Sequence, residues 1–252
     1  MTEDLQTQWT RLILFMLALF LIALSGSFVS YLIFVFMYLV TWAFLSWEGG
    51  ESISELGLEI DNRFSPHLII GAIAAALGTT LVAVIAFFFG GQLRSLDEIT
   101  GYLVINVVIN AALFSFFEEL THRGYLLTRM EKLTGRGPAI IFSSLFFALI
   151  HFDWWGPAGY DLFLISLFTF NLFLGGVVLS LSYYWSGRKL WVPISFHFIW
   201  NVFAYILFPE FPNEPVVQPE IFQIEWGITT IVGFLLGLSL LWSLLATEKN
   251  KV

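Results

Sequence analysis

The chain has 252 residues, 58% apolar and only 12% charged, with a mean hydropathy of +0.83, too few polar side chains to cover a water-facing surface. Its net charge of -8 comes mostly from acids in residues 48–61 and 210–225, which read as loops, and its eleven Lys and Arg are too scattered for a nucleic-acid-binding face. Cysteine is absent, which excludes disulfides, thiolate metal sites and cysteine nucleophiles, so any metal site must use His, Asp or Glu.

The composition predicts a single all-α domain over residues 1–252, a polytopic membrane protein of about eight transmembrane helices. The first apolar run is too long for one helix and is expected to break at the "SGS" of 25–27, giving spans near 12–25 and 28–47. Between them and the third span, "ESISELGLEID" places Ile53, Leu56 and Ile60 at helical spacing, so an amphipathic helix on the membrane surface competes with a plain loop. The third span covers about 66–90, the fourth begins near Ile99, and the fifth, about 138–152, is short enough to extend through Trp154 and Trp155. The remaining spans are expected near 161–185, 190–208 and 226–246, and the Pro-rich "FPEFPNEPVVQPE" is an outer loop before the last of them. No cleavable leader pattern is evident, so the chain is expected to be retained whole.

Lys and Arg set the orientation. With eight spans and the N-terminus inside, Arg11, Arg63, Arg129, Lys132, Arg136, Arg188, Lys189, Lys249 and Lys251 fall on the cytoplasmic side, and only Arg94 falls outside. Both termini are therefore expected to be cytoplasmic, in a multi-pass protein of the cell membrane.

The fourth span ends in "FFEELTHRG", which puts Glu118, Glu119, His122 and Arg123 where lipid should penalise charge. On a continuous helix Glu118 lies roughly 16 Å inside the end at 1.5 Å per residue. Glu118 then faces His122, and Glu119 faces Arg123, each at i, i+4. Arg123 can neutralise Glu119 and leave Glu118 as the working carboxylate, while Gly124 opens room for a neighbouring helix. The competing reading ends the helix at Phe117 and leaves the charges among headgroups.

Two later spans bear on that choice. "FFALIHF" places Phe147 and His151 four apart near the outer part of the fifth span, and "SFHFIWN" places His197 and Asn201 four apart in the seventh. By helical rise His151 lies about 21 Å and His197 about 10 Å from their cytoplasmic ends, which brackets the depth of Glu118. A carboxylate pair and two imidazoles at comparable depth suit base and donor roles in one site. His67, after Ser65-Pro66, is expected at the interface with no special role, and Asn106, Asn110 and Asn171 are expected to hydrogen-bond between helices. Neither a phosphate-cradling glycine spacing nor a G-x-S-x-G stretch is present.

Three elements in order, E-E-x-x-x-R at Glu118, Glu119 and Arg123, F-x-x-x-H at Phe147 and His151, and H-x-x-x-N at His197 and Asn201, resemble the CAAX protease and bacteriocin-processing (Abi) family of intramembrane endopeptidases, related to the type II CAAX prenyl endopeptidase. The motif-bearing core covers about 99–208. The resemblance implies hydrolysis of a peptide bond in a membrane-anchored or prenylated peptide by a glutamate-activated water. It further implies that Glu118 activates the water with His151, that Glu119 and Arg123 form a supporting ion pair, and that His197 and Asn201 stabilise the oxyanion. The site is expected to open to the cytoplasm.

One position departs from the family, which often has a bulky aromatic where His122 stands; His122 is expected either to bond Glu118 directly or to turn toward solvent, and it is left out of the core set. No obligatory cofactor is expected. Family members have been labelled metalloproteases, so a divalent metal such as zinc on Glu118, His151 and His197 is left open. Two other functions use the same residues: a transporter or proton relay, and a non-catalytic peptide-immunity protein of the same family. The substrate's identity and the oligomeric state are not readable from the sequence.

Overall fold

The computed structural model describes residues 4–29, 31–50, 52–151 and 161–249. Among them there is no strand. Five helices are long and apolar enough to cross a membrane, and three shorter apolar helices join them, matching the eight predicted segments one for one.

Helix α1 (Leu5–Val29) and α2 (Leu32–Trp47) form the first antiparallel pair. The "SGS" of 25–27 does not break α1, which continues to Val29: the Ser25 hydroxyl donates to the Ile22 carbonyl at 2.8 Å, so its polarity is satisfied inside the helix. After α2 the amphipathic segment is a single 3-10 turn (Ile53–Leu56) rather than a surface helix, with Leu56 buried and Ile60 75% exposed. Gly57, at φ +105°, ends that turn. The proposed extension of the fifth span through Trp154 and Trp155 lies outside the described residues.

Helix α3 (Phe64–Phe89) starts with Pro66 in its first turn and stops at Gly90, in the left-handed conformation, after which Gly91 N–H caps the Ala86 carbonyl. Helix α4 (Gly101–Glu119), N-capped by the Thr100 hydroxyl, passes through a π-helical segment (Leu120–Leu126) into α5 (Leu127–Thr134). Then come α6 (Arg136–Ile150), α7 (Leu162–Trp185), α8 (Trp191–Leu207), the one-turn α9 (Pro219–Phe222) and α10 (Thr229–Lys249).

Small residues let α3 and α8 approach closely. A Cβ on Gly71 would run into the Ser195 hydroxyl and the Val192 carbonyl, and one on Gly78 would stand 2.7 Å from the Gly233 carbonyl of α10. Ala74, Val82, Phe196, Trp200 and Phe234 fill this core. A second core joins α1, α2 and the π segment through Phe15, Leu45, Leu120, Tyr125 and Leu190. Phe87, Phe88 and Phe89, about 70% exposed, belong to the outer, lipid-facing surface.

The two ends of the bundle differ. At the basic end Arg129 pairs with Glu48 at 2.7 Å, Arg188 with Glu131 at 3.1 Å and Lys189 with Glu59 at 2.9 Å, and Leu190 N–H donates to the Gly57 carbonyl. These contacts draw the α2–α3 loop, the α7–α8 loop and helix α5 together. At the opposite end Arg94 reaches the Phe208 carbonyl and Glu214, joining the loop before α4 to the loop after α8.

Candidate active site

The quoted cluster is where α4 changes hydrogen-bonding register. A π segment leaves carbonyls without their usual i+4 donors, and side chains supply replacements. The Thr121 hydroxyl lies 3.0 Å from the Phe117 carbonyl and 3.1 Å from that of Glu118, and His122 Nδ1 is 3.0 Å from the latter. Thr128 does the same for Gly124 and Tyr125. Every residue from Glu118 to Met130 is buried, so the helix does not end at Phe117 and the charges do not lie among headgroups. Gly124 fits against Leu56 and Leu190; an added Cβ would stand 3.2 Å from Leu56 Cβ.

Glu119, wholly buried, accepts from Arg123 Nη1 at 3.1 Å, the i, i+4 pair read from the sequence. Arg123 Nη2 also donates to the Gly176 carbonyl of α7 at 3.2 Å, and its guanidinium lies 4.4 Å from the centre of the Phe147 ring. The same Glu119 Oε1 lies 2.9 Å from Nδ1 of His197 on α8. An ionised carboxylate can only accept, so Nδ1 carries the proton and Nε2 is left facing the interior, 3.8 Å from Glu118 Oε2.

His151, at the C-cap of α6, is fixed in the same way. Its Nδ1 donates to the Phe147 carbonyl at 2.6 Å, which directs Nε2 at Glu118 Oε2, 3.4 Å away. Glu118 Oε2 is thus flanked by the Nε2 atoms of two imidazoles whose tautomers are set from behind. Because a carbonyl cannot donate, a proton between His151 Nε2 and Glu118 must be shared by those two groups or come from a water placed between them.

Glu118, His151, His197 and Asn201 line one cavity of about 540 Å³. The Asn201 carboxamide lines the cavity and makes no hydrogen bond to another described residue, so it is available to an occupant. The cavity runs from Glu118 along Phe114, Asn110 and Asn106 of α4 to Arg94, Glu210 and Glu225 in the loops at the end opposite the basic one. With the basic end cytoplasmic, this is the outer side. The expectation that the site opens to the cytoplasm therefore does not hold together with that orientation: helical rise gives depth but not the direction of opening, and below Glu118 the chain is packed shut. A smaller space of about 160 Å³, lined by Leu19, Ile33, Met37 and Ile150, reaches Glu118, His122 and His151 from between α1 and α2.

Several expectations need correction. His122 does not bond the Glu118 carboxylate, because the π turn aims its Nδ1 at the backbone carbonyl, and its buried Nε2 has no hydrogen-bond partner. Asn106 and Asn110 bond back to Tyr102 and Asn106 within α4 instead of between helices, and Asn171 reaches loop carbonyls at Glu225 and Gly227. His67 is buried, 1% exposed, and lies against α8, where the Ser195 hydroxyl meets its carbonyl at 3.5 Å. Sequence reading missed Tyr205 and Glu225 as wall residues. The one signal for an opening away from the basic end was the place of His151 at the far end of its span.

Among the described residues no three His, Asp or Glu side chains are gathered in a metal-holding geometry.

Residues 100–203 match the family model described as type II CAAX prenyl endopeptidase Rce1-like. The matched stretch runs from the N-cap of α4 into α8 and includes all six candidate residues, Glu118, Glu119, Arg123, His151, His197 and Asn201. No curated protein matches the chain.

Proposed function

The chain belongs, through residues 100–203, to the CAAX protease and bacteriocin-processing family, and from that premise we propose that it is a glutamate-dependent intramembrane endopeptidase acting on a membrane-anchored or prenylated peptide. It is a multi-pass membrane protein of a family of CAAX-type intramembrane proteases. The observation that carries the reading is Glu118 Oε2 between two oriented imidazole Nε2 atoms, 3.4 and 3.8 Å away, at the closed end of a cavity.

In this mechanism a water held by Glu118 and His151 Nε2 gives its proton to Glu118 as the oxygen attacks the peptide carbonyl. The carbonyl π pair moves to oxygen, and the resulting oxyanion is met by His197 Nε2–H and the Asn201 amide. For His197 to donate from Nε2 while Nδ1–H stays on Glu119, the ring must be an imidazolium, and the buried Glu119 carboxylate stabilises that charge. Collapse of the tetrahedral species breaks the C–N bond, and Glu118 returns its proton to the departing amine. Arg123 is a positioning residue: it holds Glu119 in place, and with it His197.

In this reading the protein lies in the cell membrane with both termini cytoplasmic, an orientation supported by the distribution of Lys and Arg, and the substrate enters from the outer side. A continuous transport path has less support, because side chains from 119 to 130 are all buried between Glu118 and the basic end.

The test is purified protein incubated with prenylated and unprenylated peptides, with and without a chelator, and read by mass spectrometry. Cleavage that is lost in Glu118→Gln and indifferent to the chelator is expected. Undiminished cleavage by Glu118→Gln would remove the mechanism.

A further inference from the structure

The outer part of the cavity carries groups that the hydrolytic steps do not use. Glu225 lies on its wall in a left-handed backbone conformation, φ +67°, which a non-glycine residue adopts only when its surroundings enforce it. Here they do so through three contacts. Glu225 N–H donates to the Thr230 hydroxyl at 2.9 Å, and Asn171 Nδ2 donates to the carbonyls of Glu225 at 2.9 Å and Gly227 at 3.0 Å. The backbone is pinned while the Glu225 carboxylate itself has no hydrogen bond or ion pair to another described residue.

Asn171 gives the second observation. It is 1% exposed and borders the same cavity. With both amide hydrogens spent on loop carbonyls, the other side-chain atom must be Oδ1, and this acceptor has no donor. A buried acceptor without a partner, beside an unpaired carboxylate, fits an occupant that brings N–H donors and positive charge. Glu210 adds a further acid to the wall, whereas the nearby cation, Arg94, is committed to Glu214 and the Phe208 carbonyl. Acids on the walls of such a cleft attract cations electrostatically.

We infer that Glu225 and Asn171 form a subsite for a cationic, hydrogen-donating group of the substrate, an ammonium or guanidinium borne by a lysine or arginine side chain or by a peptide N-terminus. This rests on the peptidase reading above and narrows its substrate to a peptide with a positive charge on the side facing the outer loops. Burial supports it, since it holds the Glu225 carboxyl above the usual carboxylate range against the pull of His197 and His151, and a bound cation would relieve that.

The experiment measures binding, which does not require cleavage. Fluorescein-labelled apolar peptides that differ only in carrying lysine or norleucine, each with a free or an acetylated N-terminus, are titrated into Glu118→Gln protein in detergent micelles. The lysine peptide, or the free-amine peptide if the terminus is the true occupant, should bind about tenfold more tightly than its neutral counterpart. Adding Glu225→Gln should erase that preference while leaving norleucine affinity in place, and Glu225→Lys should favour a glutamate-bearing peptide. Equal binding of charged and neutral peptides to the Glu118→Gln parent overturns the subsite, as does a preference that survives Glu225→Gln. If unmodified protein cleaves nothing yet the charge preference is seen, the peptidase reading fails and the subsite stands.

Discussion

His197 Nδ1 and Arg123 Nη1 converge on the same oxygen of Glu119, at 2.9 and 3.1 Å, so one buried carboxylate both neutralises the guanidinium and sets the tautomer of the imidazole on α8. The second glutamate of the pair is therefore an orienting group, and the first faces the cavity.

Glu119→Gln separates the two jobs from ordinary catalysis. It leaves Arg123 buried without a counter-charge, which should cost about 3 kcal/mol or more of stability. Loss of the carboxylate that orients His197 and stabilises its imidazolium should cut kcat on the order of ten-thousand-fold. Glu118→Gln, by contrast, should lose activity with little change in melting temperature. Thermal melts beside single-turnover kinetics decide this; equal melting of the two variants would contradict the assignment.

His122→Phe should keep activity within about tenfold, since removing one neutral backbone hydrogen bond is worth about 1 kcal/mol. The Glu118 carbonyl still receives the Thr121 hydroxyl, and the Glu118 carboxylate loses no partner. A loss of a hundredfold or more, measured as kcat/KM on the best peptide, would mean that the imidazole acts on Glu118 in a way this geometry lacks.

Gly71→Val tests the packing that carries His197. Its side chain would collide with Ser195 and Val192 on α8, two residues before and five before the histidine. Overpacking of this kind typically costs about 1–3 kcal/mol. Activity should fall with it, although Gly71 touches no reacting group. Unchanged melting and turnover would indicate that α3 and α8 pack less tightly than described.

Glu225 predicts a pH dependence. Burial raises its carboxyl, the two imidazoles of His197 and His151 lower it, and Glu118 raises it further; Tyr205, Glu210 and Arg94 share its cavity. A carboxyl raised on folding contributes stability that is present below its unfolded pKa and lost as pH rises through the folded one. Glu225→Gln should therefore raise the melting temperature at neutral pH and converge on the parent in acid. Preference for a lysine peptide should fade on acidification sooner than a water-exposed glutamate would dictate. Melts and titrations across the acidic range check both signs.

The sequence by itself determined the all-helical membrane class and the eight apolar segments, and it singled out four polar positions that the fold brings to one cavity, Glu118, His151, His197 and Asn201. Lipid makes isolated polar residues costly, so those that persist inside apolar runs stand out without any coordinates. The Glu119–Arg123 pair was equally legible, since i, i+4 contacts are local. Tertiary structure alone decided what depends on helix rotation and on loops: that Glu119 serves His197 as well as Arg123, that the π turn takes His122 off the Glu118 carboxylate, and that the cavity opens away from the basic end. Glu225 lay hidden for the same reason. An acid in a Pro-rich loop has no periodicity to betray it, and only the return of that loop over α7 and α8 brings it to the cavity wall.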